Sequence, residues 1–217
     1  MCEEIIAEYD KSAAEDESYK PESIFDGLPK DPLIASFSHD NILADTYQNM
    51  ALAHYNLAQY EEGIRYAEMA ITKAEDTDSD SALSTAMFVK GLNLFRLKRF
   101  DDADKVFSDV IADLDNTNLS QKAWAYYYRA DIAARFSRNR ESLDYYETAV
   151  GLDPFNYLIR QGAIEYLVNR NQAGDYEIAL GFAIRGVDYE VEKSYFKEKA
   201  AQLFQLLSLP DKTRSFN

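Results

Sequence analysis

The chain has 217 residues, 47% hydrophobic and 28% charged, with a formal net charge of −15, which argues against a nucleic-acid backbone or an anionic membrane surface as partner, since both recruit proteins through Lys and Arg. One cysteine (Cys2) excludes an internal disulfide, two histidines (His39 and His54) leave no metal-ligand cluster, and no apolar run approaches the roughly 18 residues of a membrane span. Eight glycines and five prolines leave little room for many tight turns, so the class is all-α.

Residues 1–43 read as an N-terminal extension with short helices. Cys2–Ala14 places Ile5, Ile6, Tyr9 and Ala13 where they could cover one end of a helical array. Met1–Tyr9 lacks the basic and apolar regions of a signal peptide, so a cytoplasmic protein is expected. A chain starting at Cys2 would instead look like a periplasmic lipoprotein stripped of its signal. Glu15–Asp31 mixes charge with Pro21 and Pro29 and reads as loop, and Asp31-Pro32 is a helix start before Leu33–Phe37.

From Ala44 onward the sequence repeats. A block of about twelve residues begins at Tyr60 and returns at Phe100, Asn139 and Tyr176, with small, apolar or aromatic residues three, seven and ten places on. A fixed period of this size marks stacked repeats. Before each block lies a helical stretch: 44–57, 84–97, 123–136 and 160–173. Apolar, small or ring-bearing residues there step by three, one, three and three, tracing one face, as Tyr47, Met50, Ala51, His54 and Leu57 do. Lys90, Arg129 and Arg170 interrupt that face, and their stems are expected along its edge. About two residues join each stretch to its block, the spacing of an antiparallel αα-hairpin. The eighth residue of the first helix (Ala51, Gly91, Ala130, with Leu167 departing) should approach a small residue of the second (Gly63, Ala103, Ser142, Ala179). The pairs are expected at about 44–77, 84–117, 123–156 and 160–190, and the array should melt as a connected body. Residues 191–217 read as a capping helix and tail, with Phe196, Ala200, Leu203 and Leu207 on one face and Pro210 as the stop.

These residues resemble the tetratricopeptide repeat (TPR) family in a long-period variant of about 37–40 residues. The small eighth, twentieth and twenty-seventh positions carry the likeness, with Pro154 in GLDPFN and the turn Ala173-Gly174-Asp175-Tyr176. It covers about two-thirds of the chain. The fourth position lacks the family Trp, Asn139 replaces an aromatic, and Glu75–Asp80 and Asp115–Ser120 are insertions. The resemblance implies a right-handed α-solenoid of antiparallel helix pairs that binds proteins or peptides on the concave face lined by the first helices.

Positions two, five, six, nine, twelve and thirteen of each first helix line that face in the family. Carried over, they give Leu52 and Tyr55 among polar neighbours in the first pair, and Phe88, Val89, Leu92, Phe95 and Arg96 in the second. The third pair offers Trp124, Tyr127, Tyr128, Asp131 and Arg135, and the fourth Gln161, Ile164, Glu165 and Val168. Aromatic and Arg side chains on such a face are the residues that dominate protein interfaces. Ten residues are therefore the candidate partner site: Leu52, Tyr55, Phe88, Leu92, Phe95, Arg96, Trp124, Tyr127, Tyr128 and Arg135. Packing of the rings as core, or occupation of the face by the segment around Ile24, Phe25 and Leu28, is the competing expectation. Arg96, Lys98 and Arg99 in one pair and Arg135, Arg138 and Arg140 in the next suggest a basic edge for partner carboxylates. The family's two-carboxylate clamp is not expected, because Gln48, Leu52, Val89, Trp124 and Tyr128 stand in its places.

Nothing points to catalysis. Paired carboxylates such as Asp101-Asp102 sit at helix starts, where the helix dipole favours them. The acidic stretch from Asp76 to Asp80 has Ser81 and Met87 where a calcium loop needs Gly and Glu. His54 occupies a packing position. No catalytic, cofactor or metal site is expected. The leading function is a non-catalytic adaptor or scaffold. The alternatives are a structural protein self-associating through the same face or the C-terminal helix and, less strongly, a secretion-type chaperone or lipoprotein assembly factor.

Overall fold

The computed structural model describes residues 39–77, 79–113, 118–188 and 192–208. The expected N-terminal helix, the segment around Ile24 to Leu28 and the Pro210 stop lie outside these residues. All described secondary structure is helical. The chain divides into two compact units between Leu114 and Asp115.

Unit 1 contains α1 (His39–Asn56), α2 (Tyr60–Asp76), α3 (Asp80–Arg96) and α4 (Phe100–Asp113). Helix α1 packs on α2, α2 and α1 on α3, and α3 on α4. The buried interior of the first pair joins Leu43, Tyr47, Met50 and Ala51 to Tyr66, Ala67 and Ala70, and α3 adds Ala86 and Val89. His54 does pack: its ring stacks on Tyr66 at 5.1 Å, and Nδ1 lies 2.7 Å from the Gln59 amide oxygen. Gly91 of α3 lets the fully buried Phe107 ring of α4 come so close that a Cβ would stand 2.7 Å from it. Gly63 differs from expectation. A Cβ there would collide with the side chain of Asn93, so its smallness serves the joint between one pair and the next rather than the approach of Ala51.

Unit 2 contains α5 (Leu119–Arg135), α6 (Asn139–Leu152), α7 (Tyr157–Arg170), α8 (Asp175–Asp188) and α9 (Lys193–Leu206). Helices α5 and α6 pair, as do α7 and α8, and α9 packs on α8. One core runs from Ala123 and Ala130 through Tyr146, Ile159, Ile164 and Leu167 to Phe196 and Leu203. Polar groups tie the elements together. The Ser142 hydroxyl donates to the carbonyl of Ala130 at 2.9 Å, which fixes the close crossing of α5 and α6. The buried Arg160 donates to the carbonyls of Pro154 (2.6 Å) and Phe182 (3.4 Å). Arg170 donates to the buried Asp175 carboxylate through Nε at 2.9 Å and through Nη2, and its Nη1 donates to the Asn139 carbonyl at 3.1 Å. The Gln172 amide also donates to Asp175, at 2.7 Å. These bonds hold the Asp175 carboxyl below the usual carboxylate range, Arg170 contributing most.

Helices α1, α3, α5 and α7 begin three to five residues before the periodic stretches assigned to them. Two of these starts have side-chain caps that sequence periodicity does not register. Asn118 accepts from the Gln121 amide at 3.3 Å, and Asn156 from the Ile159 amide at 3.4 Å. Hairpin turns repeat in detail. Ala58, Lys98 and Ser137 each have φ near +60°, and the next amide closes back on the helix: Gln59 to His54, Arg99 to Leu94, Arg138 to Ala133. This is the Schellman closure, here built on residues with a side chain where Gly is usual. The turn between α7 and α8 ends α7 on the left-handed Asn171 (φ +51°) and places Gly174, at φ +89°, just before α8.

Candidate functional site

Repeat register separates the rings that hold the scaffold from those that do not. The fifth position of the first helix is Phe88 in α3 and Tyr127 in α5, and the facing block residue is Phe107 or Tyr146. In unit 1 Phe88 tilts onto Phe107 with centroids 5.6 Å apart. In unit 2 Tyr127 sets its edge against Tyr146, also at 5.6 Å. A second recurring contact joins the twelfth position to the block's first residue: Tyr55 with Tyr60 at 5.9 Å, and Phe95 with Phe100 at 5.6 Å. Such pairs add about 0.5–1.5 kcal/mol beyond their burial. Tyr55, Phe88, Phe95 and Tyr127 are therefore half-buried parts of their own hairpins. Val89 and Ile164, placed on the same face by the resemblance, are buried in the core.

Trp124, which packs against the edge of the unit 2 core, and Tyr128 differ from these in register. Their register equivalents in α3 are Thr85 and Val89, so the packing pattern does not require rings there. Trp124 meets Tyr127 edge-on at 5.3 Å and Tyr128 at 6.2 Å, and Tyr127 and Tyr128 are nearly perpendicular at 5.5 Å. All three are half-buried. Gly162 of α7 makes room for the cluster, since a Cβ there would lie 2.5 Å from the Tyr127 ring. Glu165, one turn along α7, accepts from Gln161 Nε2 at 3.0 Å and from the Tyr195 hydroxyl of α9 at 3.3 Å. Tyr195 was not foreseen, because it borders the apolar stripe of α9 and reads as part of the cap. Burial chiefly, then Asp131 and Glu165, pushes the Tyr127 phenol up. Burial and Glu165 do the same to Tyr195. The Tyr195 hydroxyl is thereby kept protonated as the donor to Glu165.

Four of the six expected cations are already engaged within their own units. Arg96 lies over Tyr55 (5.6 Å) and Tyr60 (5.5 Å) and donates to the Tyr60 hydroxyl at 3.2 Å. Arg135 is held by Asp131 at 3.1 Å, Arg99 by Asp102 at 2.9 Å, and Arg138 by Glu141 at 2.9 Å. Carboxylates one turn away thus accompany three of the six cations expected to form a basic edge. Leu52 is 41% exposed and Leu92 half-buried, both in unit 1. Among the described residues no three His, Cys, Asp or Glu side chains converge as metal ligands, and no helix is long and apolar enough to cross a membrane.

No protein-family model and no curated protein sequence matches the chain. Solved structures do. YrrB, described as a TPR protein with an unusual peptide-binding site, is 16% identical at a TM-score of 0.52, with 80% of this chain and 82% of that one covered. A putative kinesin light chain with nearly identical TPR-like repeats, from Podosopora anserina, is 11% identical at 0.60, covering 83% and 93%. MamA residues 41 to the end, from Desulfovibrio magneticus RS-1, is 14% identical at 0.55, covering 80% and 90%. At these identities the likeness speaks for the fold, and the fold of this chain, an all-α series of antiparallel helix pairs, is that of the tetratricopeptide-repeat proteins.

Proposed function

We propose that the chain is a non-catalytic protein-interaction module, an adaptor or scaffold, that takes a partner segment on the first-helix face of unit 2. One observation carries this reading: Trp124 and Tyr128 form a half-exposed aromatic cluster with Tyr127 at positions where the repeat needs no ring for packing. Trp and Tyr are the side chains that most often anchor an interface, because they bury large area with few rotatable bonds. Gln161, Glu165 and the Tyr195 hydroxyl supply polar groups beside the rings. YrrB, a protein of the same fold, is described by its peptide-binding site, and that description supports the reading by analogy.

Trp124 is the chain's one tryptophan, so its emission reports occupancy of the site. A partner isolated from the source cell should shift that emission saturably. It should bind Trp124→Ala/Tyr128→Ala at least about tenfold more weakly, the effect of losing one hot-spot residue or more. Equal affinity for wild type and the double variant would sink the proposal. Light scattering addresses the self-association alternative: a stable dimer that Phe95→Glu dissociates would put it first.

A further inference from the structure

The second-helix side of unit 1 carries a cavity of about 420 Å³, on a surface the functional reading above does not use. Its floor is Leu83, Met87 and Leu94 of α3, and its apolar walls are Ile64 and Ile71 of α2 and Val106 of α4. From Ile64 to Glu75 the α2 wall runs twelve residues, about 16 Å at helical rise. Met87, Val106 and Ile71 are only half-buried, so apolar surface stays open to an occupant.

The charged rim is asymmetric. Glu68 pairs with Lys90 at 2.8 Å, and Arg99 with Asp102 at 2.9 Å. The remaining three charges, Glu75, Lys105 and Asp109, have no ion-pair partner among the described residues. Because α2 and α4 run parallel, each antiparallel to α3 between them, Glu75 and Asp109 are the last lining residues of their walls in the same direction. Lys105 stands one turn back toward the other end. Backbone groups of the walls are committed to their own helices, so an extended segment would find no partners for its amides. A helix brings its own hydrogen bonds and needs only an apolar stripe.

We propose that this groove is a docking site for an amphipathic helix of a partner protein. That helix would carry apolar residues at i, i+3 or i+4, and i+7, with Lys or Arg at the end meeting Glu75 and Asp109 and an acidic residue opposite Lys105. Three turns of helix match the length of the wall, and the i to i+7 spacing is how such helices anchor in grooves. The unpaired rim charges choose the partner and its direction, because like charges facing each other oppose docking.

The test uses the full chain and a fluorescent alanine-based helical peptide of about 20 residues, past the length of about 15 below which isolated helices are marginal in water. It carries leucines at i, i+3, i+4 and i+7, two lysines at one end and a glutamate one turn on; the control peptide exchanges every charge. The lysine-ended probe should bind saturably by anisotropy, with the control about tenfold weaker. Glu75→Lys/Asp109→Lys, at two exposed positions, should exchange that preference, and Val106→Glu should weaken both peptides about tenfold. Trp124→Ala/Tyr128→Ala should leave probe binding unchanged, so failure here and failure of the first-helix site are distinguishable. Equal binding of the two peptides, no binding, an unmoved preference in the charge-swapped variant, or loss of binding in the Trp124/Tyr128 variant would each overturn the proposal.

Discussion

Units 1 and 2 repeat the same ring contacts and stabilise them differently. In unit 1 the paired rings Phe88 and Phe107 are phenyls, and the buried Asn93 bonds its own helix through Val89 while its side-chain oxygen has no hydrogen-bond partner among the described residues. In unit 2 the same register holds the phenols Tyr127 and Tyr146, and the buried Ser142, Arg160 and Asp175 all reach across to other elements. Unit 1 links α2 to α3 at the surface, through Lys90 with Glu68 and Arg96 with the Tyr60 hydroxyl. Unit 2 makes such links from the buried side chains of Ser142, Arg160 and Asp175, where directional bonds specify geometry more narrowly than apolar packing does.

That contrast can be broken by mutation. Phe107→Ala should be the most damaging, at about 4 kcal/mol, since it empties a fully buried ring site in unit 1. Trp124 lies in unit 2, so in denaturant titrations of this variant the circular-dichroism change should precede the Trp124 emission change. Coincident transitions would return the chain to the connected melting expected of a repeat array.

Asp175→Ala comes next, at about 3 kcal/mol, because it strands the Arg170 guanidinium in a mostly buried site. Here the Trp124 transition should move first. The Asp175 carboxyl is depressed in the folded chain, so its contribution is complete above the ordinary carboxylate range and disappears as pH falls through the depressed value. The variant's deficit at pH 7 should therefore shrink in acid. A deficit that is the same at both pH values would remove the ion pair as its cause.

Smallest are the turns. Ser137→Gly and Lys98→Gly should each raise stability by about 0.5 kcal/mol, read as a rise in midpoint, by relieving a left-handed residue. Gly174→Ala should lower it by about 1 kcal/mol. Equal responses in both units would confine their difference to the side-chain interior.

Much of this fold was legible in sequence. The blocks at Tyr60, Phe100 and Asn139 start where α2, α4 and α6 start, because four copies in register outweigh any local ambiguity. The first-helix starts were not legible, since polar residues such as Asn118 and Asn156 act there through caps rather than through apolar period. The left-handed turns were hidden too, as Ala58, Lys98 and Ser137 give no turn signal. For the site, the resemblance points to the first-helix face, but only geometry separates Tyr55, Phe88, Phe95 and Tyr127, which close their own hairpins, from Trp124 and Tyr128. Pairing of Arg135 with Asp131 was equally out of reach. Two residues four apart on a helix face can pair or diverge, and the surroundings decide.

Arg170 sets a limit on how far this chain can be shortened. Its guanidinium is satisfied from two directions at once, by the Asn139 carbonyl at the start of α6 and by the Asp175 carboxylate at the start of α8. Repeat proteins are often treated as trains that can be uncoupled between any two carriages. Here a cut after α7 would leave a cation against the earlier pair with its counter-ion gone. A minimal fragment carrying the Trp124 cluster must therefore extend past Asp175.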